Sequence, residues 1–386
     1  MIKLLSITSS RADVGILKPV WLALMETRRI ELHVGLTGMH CHNSGYAKSQ
    51  IPEGVQTHEF GADIGGNDGS LAVQAMSQIQ DDSADLYGRL RPDRILVTGV
   101  RIDMFPTAVA AVPLNIPIIH LHGGERTEGA MDDRLRHAMT KLSHLHCVSN
   151  ADAARRVCQM GEEASRVVIT GAPGLDMMQL VDQIPREEFF LELGLLDTGP
   201  LRLVTVHPET NASNMLQAGK SVIEALSQTA GPPTILTSPN SDPGGTDLLV
   251  LIEAFCKQAP NTVFRATLGA RLYVNAMRHA AVMIGNSSSG LIEAPLFGLP
   301  VVNVGNRQFG RLQGSNVHNC ESDVRQIIDQ LNRILAGDPN QNIPSFPYGD
   351  GAAAQRIADA VLHQDDRQHL LNKRFANDVP EFANPW

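Results

Sequence analysis

Several absences narrow this chain of 386 residues before any motif is read. It has no excess of positive charge: 32 Lys and Arg face 41 Asp and Glu, a formal net charge of −9. The basic footprint of a nucleic-acid binder is missing, so any arginine that meets a phosphate acts locally. There is no long block of like charge, and 43% of residues are hydrophobic against 19% charged, which excludes a disordered or acidic-tail protein. No apolar run is long enough to cross a membrane; the longest such region, Phe105 to Leu121, is interrupted by Pro113 and Pro117. The opening stretch MIKLLSITSSRADVG lacks the length and the small-residue cleavage site of a secretory signal. Cys41, Cys147, Cys158, Cys256 and Cys320 are scattered without a CxxC pair. That argues against a disulfide framework or a zinc site and for a reducing cytoplasm. Neither a GxGxxG fingerprint nor a GxxxxGK[ST] loop occurs at the glycine-rich turns considered below.

What the chain does contain is a rhythm of short β-branched runs, turns and helical segments. Strands are expected at Lys3–Thr8, Glu31–Thr37, Arg94–Thr98, Pro117–Leu121, His144–Val148 and Arg166–Thr170. The pattern restarts with Arg202–Val206, Thr234–Thr237, Thr262–Ala266, Ala281–Ile284 and Pro300–Val304. Apolar runs alternating with helices indicate parallel sheets covered on both faces. The expected fold is α/β, with two Rossmann-like doubly wound domains facing a cleft. The boundaries read from sequence are 1–182, with the tail 366–386 packing back on it, and 183–365, with Asp182–Pro200 as the linker region.

In open parallel sheets ligands sit beyond the carboxyl ends of the strands, and the loops there are rich in polar residues. Ser9-Ser10-Arg11 opens a helix after the first strand. Free backbone N–H groups and the helix dipole suit an anion there; the same residues equally make an N-cap beside a surface arginine. Gly285-Asn286-Ser287-Ser288-Ser289-Gly290 opens a helix carrying Glu293. Its run of small polar residues exceeds what one cap requires and suits a diphosphate. Arg307 and Arg311 flank the turn after the next strand, and forked guanidinium donors suit the same phosphates. The segment His120-Leu121-His122-Gly123-Gly124-Glu125, followed by Asp132 and Asp133, is the densest titratable region. General acid/base work by Glu125 and one aspartate fits it better than a metal, since His120 and His122 point to opposite faces of a strand. His207 ends the first strand of the second half and can donate to a substrate oxygen or a leaving phosphate. Anion-binding loops in one half and carboxylates in the other fit a nucleotide diphosphate-sugar better than a hydride cofactor.

SRADVG, HGGERTEGAMDDRLRHAMTKLSHLH, HPET, SPNSDPGG and GNSSSGLIEAPLFGLPVVNVGNRQFGR together resemble the hydrolysing UDP-N-acetylglucosamine 2-epimerases of bacterial sialic-acid synthesis, in order and over nearly the whole chain. A close branch acts on UDP-2,4-diacetamido sugars of legionaminic-acid synthesis. The resemblance implies the glycosyltransferase-B architecture and a homodimer or homotetramer. It also implies a UDP-sugar substrate, with no cofactor, no metal and no nicotinamide. It further implies anti elimination of UDP to 2-acetamidoglucal, then hydration to N-acetylmannosamine. Carried over onto this sequence, Glu125, Asp132, His207 and Asp103 look like the catalytic groups. Arg11, Arg101, Asn240, Ser287, Ser288, Ser289, Glu293 and Arg307 look like substrate contacts. One position departs: the family usually carries Gly-Asp-Arg where this chain reads Gly99-Val100-Arg101. Loss of a general acid/base group typically costs about 10²–10⁴-fold in rate. The readings left open are an altered constellation using Asp103, a substituted chain, or a weakly active or inactive UDP-sugar-binding protein.

Overall fold

Residues such as Leu4, Leu5 and Ile7 on one strand, or Ile95, Leu96 and Val97 on another, are all buried. Both faces of these strands are therefore covered, as parallel sheets require. The computed structural model describes residues 1–386 apart from 43, 64–68, 100–101, 127–130, 210–213, 240–243, 338–345 and 364–366, with the backbone alone at 12, 69, 131 and 132. It divides into Met1–Met177 with Tyr348–Trp386, and Met178–Pro347.

Among the described residues the first unit holds β1 (Ile2–Thr8), β2 (Ile30–Leu36), β3 (Gln56–Glu59), β4 (Arg94–Thr98), β5 (Ile118–Leu121), β6 (Leu145–Val148) and β7 (Val167–Ile169). They lie in the order β3-β2-β1-β4-β5-β6-β7, every pair parallel. The second unit holds β8 (Leu201–Thr205), β9 (Thr234–Thr237), β10 (Thr262–Arg265), β11 (Ala280–Gly285), β12 (Val301–Val304) and β13 (Val317–Cys320). Its order, β10-β9-β8-β11-β12-β13, is again all parallel. Each is a doubly wound Rossmann-like domain of the kind the βα rhythm implies. The strand order reverses between β1 and β4, and again between β8 and β11, which marks where each unit presents a ligand crevice.

Helix Arg11–Glu26 packs on the first sheet through Val14, Leu17, Val20, Trp21 and Leu24. Its N-terminus is closed by a capping box in which Ser10 Oγ accepts from the Asp13 N–H and Asp13 reaches back. Trp21 is buried with its Nε1 donating to Ser6 Oγ at 2.8 Å, so its one polar atom is satisfied.

Two segments differ from the sequence reading. Asp182–Pro200 is not a linker: helix Arg186–Leu193 buries Phe189, Phe190 and Leu193 in the core beneath β8 and ends at Gly194 (φ 73). Residues 348–365 lie in the first unit, because helix Ala353–His363 packs Ile357, Ala358 and Val361 into the cluster around Leu17 and Trp21. The Asp176 carboxylate accepts from the Ala353 and Ala354 N–H groups at 3.0 and 2.6 Å and caps that helix. The tail beyond it is held by charge. Arg166 donates to the carbonyls of His369 and Leu370 at 2.8 Å. Lys373 and Lys141 meet Glu162, which is buried and also bonded to His146 Nε2 at 3.1 Å.

Candidate active site

In the first unit the candidate groups gather beyond β1, β2, β4 and β5. The turn after β1 suits either an anion or an N-cap, and the cap is what forms. Asp13 occupies the amides of the turn: its Oδ2 accepts from Ser9 N, Ser9 Oγ and Ser10 N, each at 2.9 Å. Arg11, at the first turn of the helix, is exposed and lies 5.4 Å over the Tyr46 ring. Asp103, beyond β4, is fully buried. Its carboxylate packs on Gly38 (φ 58), where a Cβ would stand 2.5 Å from Oδ2. Only glycine serves there, for the backbone conformation and for the space.

Beyond β5 the chain turns through His122, at φ 62 a non-glycine residue in the left-handed region. Such strain costs about 1–3 kcal/mol and concentrates at functional sites. The turn delivers Glu125, whose Oε1 lies 2.8 Å from His122 Nδ1. Arg136, buried on helix Met131–Leu142, donates to the Glu125 carbonyl at 2.6 Å, and Arg156 donates to the Gly124 carbonyl. Burial alone would push the Glu125 carboxyl up. The His122 charge and hydrogen bond, with Arg136 and Ser149, outweigh it and bring the carboxyl down to about 2. Glu125 is therefore an anion at neutral pH, able to accept a proton and carrying none to donate. His120 does not share this work. It is fully buried, bonds the Gly99 carbonyl through Nε2 at 3.3 Å, and is pushed by burial to about 3, hence neutral.

In the second unit three loops are tied beyond β8, β11 and β12. Asn286 is the knot: its Oδ1 accepts from His207 N at 2.7 Å, and its Nδ2 donates to the His207 carbonyl at 3.0 Å. The Asn286 carbonyl accepts from Gln308 Nε2 at 2.7 Å and Arg307 Nη1 at 3.2 Å. Glu209 closes the third side, its Oε1 accepting from Asn306 N and Arg307 N at 2.7 and 2.9 Å. Close approach of β8 and β11 requires Gly285, since a Cβ would come within 1.9 Å of the Thr205 carbonyl. The result sets the Arg307 guanidinium against the backbone of the serine turn, with Ser287 and Ser288 half-buried beside it. Guanidinium, hydroxyls and amides together suit an anionic oxygen cluster.

A family model described as UDP-N-acetylglucosamine 2-epimerase matches residues 22–362. The chain belongs to that family. It is 31% identical over 382 residues to the UDP-N,N'-diacetylbacillosamine 2-epimerase (hydrolyzing) of Legionella pneumophila, across 96% of this chain and 98% of that protein. It is 28% identical over 381 residues to the UDP-N-acetylglucosamine 2-epimerase of Neisseria meningitidis, across 97% and 99%. The crystal structure of UDP-GlcNAc 2-epimerase from Neisseria meningitidis bound to UDP-GlcNAc has a TM-score of 0.78 at 19% identity, over 94% of this chain and 100% of the other. That likeness speaks for the fold: two Rossmann-like domains of the glycosyltransferase-B type.

The residues expected from sequence are distributed between the two units. Asp103 and Glu125 stand at the ends of adjacent strands of the first unit. His207, Ser287, Ser288 and Arg307 are drawn together by Asn286. Ser289 is buried, with its hydroxyl accepting from Tyr273 at 2.7 Å and lying against Met277, so it is already bonded within its own unit. Glu293, half-buried near Tyr273, is raised above the usual carboxylate range by burial, against a hydrogen bond with Ser289. Val100, Arg101 and Asn240 lie outside the described residues, as does the side chain of Asp132. Sequence reasoning missed the ties, namely His122, Asn286, Glu209 and Gln308. All four lay inside quoted motifs, but nothing in a linear sequence says which member of a motif touches the ligand and which braces its neighbour. No helix among the described residues is long and apolar enough to cross a membrane.

Proposed function

We propose that this epimerase is hydrolytic and releases UDP from a UDP-2-acetamido sugar with inversion at C2. Glu125 carries the reading: an ionised carboxylate at the end of β5, in a family named for 2-epimerisation. The C2 hydrogen of the sugar is weakly acidic, so a carboxylate must be placed against it. A base takes that proton, the C2–H electron pair forms the C1=C2 bond, and the bond from C1 to the diphosphate oxygen breaks, releasing UDP. Water then adds across the double bond, hydroxyl to C1 and hydrogen to C2 from the opposite face. Asp103 and Asp132 supply the further acid/base groups in this reading. Departing diphosphate charge is met by Arg307, Ser287 and Ser288, with His207, Arg11, Arg101, Asn240 and Glu293 completing the nucleotide contacts. The chain acts as a cytoplasmic homo-oligomer in the synthesis of a sialic-acid-like sugar.

UDP-N-acetylglucosamine is the first substrate to test. The UDP-2,4-diacetamido-2,4,6-trideoxy sugar is the second, favoured by the name of the Legionella relative. An NMR time course in D2O with each nucleotide-sugar decides. The expected result is free 2-acetamido sugar deuterated at C2, together with UDP. Product without deuterium excludes the elimination. UDP-N-acetylmannosamine with its phosphate bond intact makes the chain a non-hydrolysing epimerase. Binding of UDP without turnover makes it a nucleotide-sugar-binding protein.

A further inference from the structure

His122 has no place in the reaction as written, yet three features of its geometry single it out. Its backbone is left-handed at φ 62. Its Nδ1 lies 2.8 Å from Glu125 Oε1. Its Nε2 is buried with no hydrogen-bond partner among the described residues. An ionised carboxylate only accepts hydrogen bonds, so Nδ1 must carry the hydrogen that bridges the pair. A backbone conformation that disfavours a β-carbon, and a buried nitrogen unbonded among the described residues, are both unfavourable in a residue kept for packing alone.

We infer that His122 is a positioning residue, which through Nδ1–H aims the Glu125 carboxylate at the C2 hydrogen. The inference rests on the role proposed for Glu125. The other charged groups around that carboxylate do not substitute for the imidazole. Arg136, from helix Met131–Leu142, spends Nη1 on the Glu125 carbonyl, and Arg156, from helix Ala151–Gln159, spends Nη1 on the Gly124 carbonyl. Arg136 also faces Asp133 at 3.8 Å, and His137 faces Asp133 at 3.4 Å. His120 is turned to the Gly99 carbonyl, and Arg126 is the exposed next residue of the chain. Ser149 bonds the carboxylate but brings no charge. His122 both bonds the Glu125 side chain and holds its carboxyl down.

The test uses the full chain with His122→Ala and His122→Asn, assayed for UDP release from the two UDP-sugars from acid to neutral pH. Asparagine places an amide nitrogen where Nδ1 stood and tolerates a left-handed backbone, but it cannot carry charge. For His122→Ala, kcat is expected to fall about 10–100-fold, the range typical of outer-shell partners, with KM within about twofold. The acid limb of kcat/KM moves to higher pH, because burial, unopposed by the imidazole, raises the carboxyl. His122→Asn recovers most of kcat near neutral pH while its acid limb stays raised. Wild-type kcat and an unmoved acid limb in His122→Ala overturn the inference. So does a kcat loss that only follows a lower melting temperature in both variants. If wild-type protein releases UDP from neither sugar, the functional reading has failed separately. Carboxyl 13C NMR of Glu125 then decides between the variants without turnover: titration at the same pH in wild type and His122→Ala overturns the pairing.

Discussion

At the switch point of the first unit, between β1 and β4, the loops collect buried acids; at that of the second, between β8 and β11, they collect hydroxyls, amides and a guanidinium. The strand order is the same in both, apart from the additional β7 at one edge of the first sheet. In the first unit Asp103 is fully buried on Gly38, Glu125 is held by His122 and Arg136, and Asp13 fills the helix start that would otherwise face an anion. In the second, Asn286 and Glu209 satisfy the backbone of three loops and leave donors around the serine turn. Topology sets where ligands are presented, and loop chemistry sets what is presented. One unit is built from charge that must be balanced, which ties its behaviour to pH. The other is tied by a mixture of amide side chains, Asn286 and Gln308, and charged ones, Glu209 and Arg307, bonded to loop backbone.

The contrast breaks most directly at Glu125. Glu125→Gln should lower UDP release about 10²–10⁴-fold while UDP affinity, read by calorimetry, changes little. Equal loss of both would mean that the two units do not divide the labour. Glu162→Gln tests whether buried charge in the first unit is structural away from the site. Removing one partner of a buried ion pair costs about 3–5 kcal/mol, measured by denaturant unfolding. Burial raises the Glu162 carboxyl, but His146, Lys141 and Lys373 bring it down to about 2. Because the folded value is depressed, the stabilisation is full above the unfolded value of about 4.3. It is lost as pH falls through about 2, so the gap between wild type and variant should close on acidification.

Arg307→Ala sharpens the other side. A charge-assisted hydrogen bond is worth about 1.5–3 kcal/mol, so calorimetry with UDP should show affinity reduced roughly 10–100-fold. An unchanged affinity would remove Arg307 from the nucleotide site. Ser289→Ala is the smallest expected effect. It removes the acceptor of Tyr273 and should lower stability by about 0.5–1.5 kcal/mol with UDP affinity unaltered; a clear loss of affinity would return Ser289 to the ligand.

Much of the scaffold was legible. Arg94–Thr98 and Thr234–Thr237 carry the bounds expected from their β-branched runs, because central parallel strands must be apolar on both faces. The edge strands β3 and β13 were not read, since Gln56–Glu59 and Val317–Cys320 are largely polar and only partly buried. Helix Arg186–Leu193 was hidden by Pro185 and Gly194, which bound it but read as a linker. The placement of Glu125 beyond β5 was legible because a glycine pair after a strand presents it. The Asp13 cap was not, because an acid three residues into a helix suits a cap and an anion-binding turn alike until its bonds are seen.

By itself, the sequence determined the class of fold, the loops that carry chemistry and the residue types available there, since these follow from local periodicity and from what small, polar and charged side chains can do. Tertiary structure alone decided how those side chains are bonded: Asp13 to the amides of its own turn, Ser289 to Tyr273, and Glu125 to His122 and, through its carbonyl, Arg136. Those choices turn on bonds such as Asn286 to His207, between residues far apart in the chain, and linear order does not encode distance between loops.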